Sequence, residues 1–167
     1  MVPGRMACFA VLMVIAQVCL ASDTSMDRAT LRGLKAVKVV VDPLGSDLER
    51  EGLDANHLRI TIEQRLRDAG IKVDNDVNEF MGLSVSFAQG GRKTLFTKKG
   101  GFSLSISLGA YQVAVLARDM ATKTVVETWG VEKTLSVSTR DLDRDVSRAV
   151  DELVEQFVKA YRSVNPQ

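Results

Sequence analysis

"FSLSISL", residues 102–108, alternates without a break, Phe102, Leu104, Ile106 and Leu108 on one side and Ser103, Ser105 and Ser107 on the other. Successive side chains of a strand point to opposite faces, so this is a strand with one buried face and one hydroxyl-lined face. "LSVSFA" (83–88) has the same pattern, with Leu83, Val85 and Phe87 inward. One-sided strands of this kind belong to antiparallel sheets, and the two stretches read as a hairpin. Past Gly109 the apolar phase slips by one residue, to Tyr111, Val113, Val115 and Ala117. A slip at a glycine predicts a bulge or bend there. "TKTVVETWGVEKTLSVS" (122–138) supplies a further strand, returning through a turn near "DMATK" (119–123).

Outward from this hairpin, "LKAVKVVVD" (34–42) is β-branched and apolar and reads as a buried strand, followed by a turn at Pro43 and Gly45. Asp54 is a suitable N-cap for a helix running to about Asp68, with Leu58, Ile62, Leu66 and Ala69 on one face and Glu63 and Arg67 able to pair. Gly70 stands where a helix-ending glycine belongs. From Leu142 to Val164, Leu142, Val146, Val150, Leu153, Phe157, Tyr161 and Val164 recur in steps of three and four. That is a broad apolar stripe, capped by Ser138 or Asp141 and stopped by Asn165-Pro166. The order β-α-β-β-β-α predicts an α+β, two-layer sandwich over residues 34–165: an antiparallel sheet with two helices on one face. Residues 22–33, "SDTSMDRATLRG", are polar and aperiodic and read as a flexible N-terminal tether.

The chain opens "MVPGRMACFAVLMVIAQVCLASD". Arg5 followed by the largely apolar run Met6–Val18 suits a signal peptide over 1–21, with Cys19 and Ala21 before a cut at Ser22. The run is shorter than the roughly 20 residues a membrane-spanning helix needs. Lipid attachment at Cys19 is the competing reading, against which stands the bulk of Val18. A cut after Ala21 removes Cys8 and Cys19, so the exported chain has neither disulfide nor thiolate ligand. It also removes Arg5, leaving 21 of the 22 basic residues against 21 acidic ones. A neutral chain without a basic imbalance argues against nucleic acid as partner. The expected place is the periplasm or the exterior.

The signal-like start, "AVKVVVD", the helix ending "RLRDAGIKV", the alternating strands and the long last helix together resemble small envelope-assembly domains of Gram-negative bacteria. The layout is similar to the lipopolysaccharide-assembly lipoprotein of the outer-membrane translocon and to lipoprotein domains of curli-type secretion. The tail "ELVEQFVKAYRSVNP" resembles the end of short exported bacterial proteins of no known activity. The resemblance implies an α+β fold and a role in envelope assembly or transport. In the lipopolysaccharide-assembly family it also implies a basic hairpin end that meets anionic glycolipid.

Catalytic chemistry has few carriers. His57 is the single histidine, and no nucleophile elbow accompanies it. A metal site built on several Cys or His ligands is excluded by count. "VDNDVNE" gathers Asp74, Asp76 and Glu79 without the spacing of a calcium loop. Glu127 and Glu132 share a strand, but a separation of five puts them on opposite faces unless a bulge intervenes. Trp129 reads as a core anchor beneath the last helix, in phase with Val125, Glu127 and Val131. No catalytic residue, cofactor or metal is expected.

The remaining local anomaly is "GGRKTLFTKKGG" (90–101), between the two serine-backed strands. No acidic residue occurs from Phe80 to Ala117. Arg92, Lys93, Lys98 and Lys99 suit an anionic glycolipid, a membrane surface or an acidic protein face, with Phe96 able to enter the interface. The reading is a non-catalytic exported module that binds a partner or anionic envelope component. Its alternative is a small-ligand carrier or enzyme with a pocket between sheet and helices, which would require polar inward positions.

Overall fold

The computed structural model describes residues 23–88 and 101–166. The stretch expected as a signal peptide lies outside the described residues. So do Arg92, Lys93, Phe96, Lys98 and Lys99.

Helix α1 (Ser25–Ala29) leads to strand β1 (Ala36–Val41), the short helix α2 (Ser46–Arg50) and helix α3 (Ala55–Asp68). Strands β2 (Lys72–Val73), β3 (Phe80–Phe87), β4 (Gly101–Leu116) and β5 (Asp119–Ser138) follow, then helix α4 (Leu142–Val164). The fold is α+β with a five-stranded sheet in the order β2-β1-β3-β4-β5. The sheet is mixed, which corrects the antiparallel expectation: β1 is parallel to both β2 and β3, and only β3–β4–β5 are antiparallel. The reason lies in the connections. α3 carries the chain back to the start of β1, so β2 runs the same way as β1. Residues 74–79 then cross β1 at its lower end. There the Asp74 N–H donates to the Val37 carbonyl and the Lys38 N–H to the Glu79 carbonyl, both at 3.0 Å. β3 therefore continues in the same direction on the other side.

Both long helices cover one face. On α3, Leu58, Ile62 and Leu66 are buried against the sheet, with Asp54 accepting from the Asn56 N–H (2.8 Å) and Gly70 taking φ 81° at the exit. Glu63, the one buried charged residue among those described, is held by Arg59 and Arg67. On α4, Leu142, Val146, Val150, Leu153 and Phe157 are buried, while Tyr161 and Val164 are partly so. Facing them are Val37 and Val39, Met81, Leu83 and Val85, Leu104, Ile106 and Leu108, and Val131 and Val137. Trp129 is the anchor expected of it, buried with its ring edge-on to Phe157 at a centroid distance of 5.3 Å.

The stretch read as a tether is packed from Asp23 onward. Thr24 and Asp27 form a reciprocal cap on α1, and Leu31 is fully buried. The Trp129 indole N–H donates to Asp23 Oδ1 (2.8 Å), and Arg28 grips the same carboxylate from two nitrogens. Arg28 above all, with the indole adding, holds the Asp23 carboxyl below its ordinary range despite partial burial. At the other end the Asn165 amide bonds the backbone of Gly33 and Leu31. A buried indole N–H needs an acceptor, and Asp23, distant in sequence, supplies it, which ties the polar segment to the core.

Candidate functional site

With one face sealed by helices, surface chemistry falls to the other. The register sets Ser84 opposite Ser107, Ser86 opposite Ser105, Ser103 opposite Ser136 and Ser105 opposite Thr134. Because each alternates with an inward-facing residue, these hydroxyls form one lattice across β3, β4 and β5 that no described helix covers. The Ser105 hydroxyl donates to Glu132 on the neighbouring strand.

Next to the lattice, Gly82, Gly109 and Gly130 lie side by side on one rung. A Cβ at Gly82 would meet the Tyr111 ring at 2.8 Å, and one at Gly109 would meet the Glu127 carboxyl carbon at 3.0 Å. The rung is thus a trough, and Tyr111 and Glu127 lie down in it. The Tyr111 hydroxyl donates to Glu127 Oε2 at 2.7 Å, and Phe80 stacks flat on the Tyr111 ring, centroids 4.8 Å apart and planes 7° from parallel. The phenol is pushed up to about 12, first by that hydrogen bond, then by partial burial and the negative charges of Glu127 and Asp42.

Glu127 reaches this face through a bulge. Trp129 pairs with Ala110 but Glu127 pairs with Tyr111, so Thr128 is an extra residue. Its hydroxyl accepts from the Gln112 amide (2.9 Å) and donates to the Ala110 carbonyl (3.3 Å). The slip expected at Gly109 on β4 therefore occurs on the partner strand. Two consequences follow. Glu127 and Glu132 both lie on the open face, each held by a different hydroxyl, and Val125 and Glu127 face away from Trp129 instead of sharing its side.

The slip in the apolar phase of β4 has a structural counterpart. β3 begins at Phe80 opposite Tyr111, so beyond that rung β4 and β5 continue without β3 beside them. This two-stranded ribbon turns at Ala117 and Arg118, earlier than the expected turn, and Asp119 receives the Ala121 N–H and the Thr122 hydroxyl. Along β4 the alternation is unbroken, so Tyr111, Val113 and Val115 follow one another on the open face, with Val125 opposite Val113. Val113, Val115 and Val125 are 45%, 42% and 51% exposed.

Other candidates are not assembled. His57 is exposed in the first turn of α3. Asp74 is engaged by Lys72 (2.6 Å) and by the Asp76 N–H, and no group of metal-ligating side chains occurs among the described residues. A surface groove between α3 and α4 is lined by ion-paired side chains, chiefly Arg65 with Asp151 (2.9 Å). No described helix is long and apolar enough to cross a membrane. The sequence reading missed the Tyr111–Glu127–Phe80 group. Its signal was a glycine inside or directly beside each of three strand patterns, which marks a close approach without saying of what.

No family model matches the chain, and no curated protein sequence matches it. Among solved structures it is similar to a PelC dodecamer from Paraburkholderia phytofirmans, at 13% identity over 75% of this chain and 88% of that one, with a TM-score of 0.44. A second crystal form of a PelC dodecamer from the same organism matches at 10% identity over 76% and 86%, TM-score 0.39. A minor lipoprotein from Acinetobacter baumannii matches at 12% identity over 78% and 94%, TM-score 0.35.

Proposed function

We propose that this protein is a non-catalytic exported binding module that docks an anionic envelope component, using the open face of its sheet and the basic segment joining β3 to β4. One observation carries the reading. The uncovered hydroxyl lattice of Ser84, Ser86, Ser103, Ser105, Ser107, Thr134 and Ser136 runs up to the ends of β3 and β4, between which the chain carries Arg92, Lys93, Lys98 and Lys99 and no acid. Hydroxyls accept and donate to hydrated polar headgroups, and each cation near an anionic surface contributes about 1 kcal/mol, screened by salt. Arg140, beside the end of β5 and without an ion-pair partner among the described residues, adds to the same end. The rival, a carrier or enzyme with an internal pocket, loses support from the packing. Among the described residues the inward positions under α3 and α4 are apolar apart from Lys133, which pairs with Glu152 of α4.

Sedimentation with vesicles tests this. Replacing Arg92, Lys93, Lys98 and Lys99 by Gln is expected to leave the fold intact and to abolish most binding to vesicles containing anionic lipid or lipopolysaccharide. Wild-type binding should fall as salt rises, and neutral vesicles should bind neither protein. Phe96→Ala should weaken binding by a smaller, salt-independent step. Equal sedimentation of wild type and the Gln variant with anionic vesicles would rule the reading out.

A further inference from the structure

The ribbon formed by β4 and β5 beyond Tyr111 is unlike the rest of the surface. β5 is an edge strand, and every residue from Met120 to Val125 is exposed. The covered part of its edge begins at Thr128, whose carbonyl receives the Thr30 hydroxyl at 3.3 Å. An unpaired edge carries backbone donors and acceptors ready to join another strand. A two-stranded ribbon with an apolar face is also marginally stable by itself.

We propose that this edge pairs with the same edge of a second copy of the chain, antiparallel, about a twofold axis through Val125. The charges decide both occupant and register. Lys123 has no ion-pair partner among the described residues. It lies two residues before Val125, and Glu127 lies two residues after it, all three on the open face. In an antiparallel pair centred on Val125, Lys123 of each copy stands directly across from Glu127 of the other, with side chains about 5 Å apart at their Cβ atoms. Val125 meets Val125, and Val113 on each flanking strand extends the contact into an apolar strip four strands wide. Centring the pair on Lys123 would oppose two like charges, whereas centring it on Val125 opposes unlike ones and so favours that register. The interface is isologous and closes at two copies. It is independent of the basic segment and of what that segment binds.

The test uses the chain expressed at full length and purified as the cell processes it, with Cys8→Ser and Cys19→Ser so that no other thiol is present. Sedimentation velocity over a concentration series is expected to show a reversible dimer. Lys123→Gln removes two symmetric ion pairs and should raise the dissociation constant about tenfold. Val125→Cys should form an interchain disulfide under mild oxidation, since residues directly opposite in such a pair meet the distance a disulfide requires. Met120→Cys should not, because the axis separates the two copies of that residue by about 30 Å. All three positions are exposed, so circular dichroism should match wild type. A monomer at every concentration overturns the proposal. So does tighter association of Lys123→Gln, which would make the lysine a guard against edge pairing, and so does equal cross-linking at Met120→Cys and Val125→Cys.

Discussion

Thr128 is one extra residue in a strand, yet it settles where two carboxylates point. Without this bulge, with Thr128 paired like its neighbours, Glu127 would share the buried side with Trp129, where an unpaired charge costs several kcal/mol. With it, Glu127 lies in the glycine trough and receives the Tyr111 hydroxyl. A pH dependence follows. The Tyr111 phenol titrates near 12 in the folded chain against an ordinary 10.0, so the unfolded chain loses that proton first. The contribution of the hydrogen bond to stability is full below the unfolded value and is lost as pH rises through the folded one. Ultraviolet titration of wild type should show one tyrosine ionising late, and Glu127→Gln should return it toward the ordinary range. An unchanged titration in Glu127→Gln would mean that burial, not the carboxylate, sets the phenol. The sequence named Glu127 and Glu132 as a pair conditional on a bulge, and the bulge is there. Nothing local could place it opposite Tyr111, because a bulge is defined by the partner strand.

At the scale of elements, α4 is the best case for reading structure from spacing. Its stripe of Leu142, Val146, Val150, Leu153 and Phe157 is buried as the period requires, and Lys159 pairs with Glu155 at 2.8 Å. Ser138 turns instead to the side chain of Asp141, and neither caps the helix through a side-chain bond. Phe157 fills the centre of the layer between helix and sheet, against Trp129 and Tyr161. Phe157→Ala should cost about 3–5 kcal/mol by transfer and cavity terms together, read as a lower midpoint in urea unfolding. A loss below about 1 kcal/mol would mean that the site collapses to fill the space. The segment at 23–33 is the opposite case. Its polarity reads as a tether, but Asp23 and Leu31 are ordered by Trp129 and Asn165, partners more than a hundred residues distant for Asp23 and Leu31 alike.

Over the whole molecule, stability should divide at the rung of Tyr111. Backbone amides of residues 104–110 and 129–137 lie under α4 and should exchange slowest, whereas those of 113–126 lack a covering layer among the described residues and should exchange fast at high dilution. Raising the protein concentration should slow the ribbon alone if its edge joins a second copy, and equal protection of ribbon and core at every dilution would contradict this division. The division itself is written in the sequence as the apolar slip past Gly109. So are the one-sided strands, the apolar stripes of α3 and α4, the Asp54 cap and the Gly70 exit, since each depends on residues within a few positions of one another. Strand partners and register do not. The parallel placement of β1 depends on where residues 74–79 cross it, and the trough needs Gly82, Gly109 and Gly130 on one rung. Those relations join distant parts of the chain, and only the packing of α3 and α4 on a shared face brings them into line.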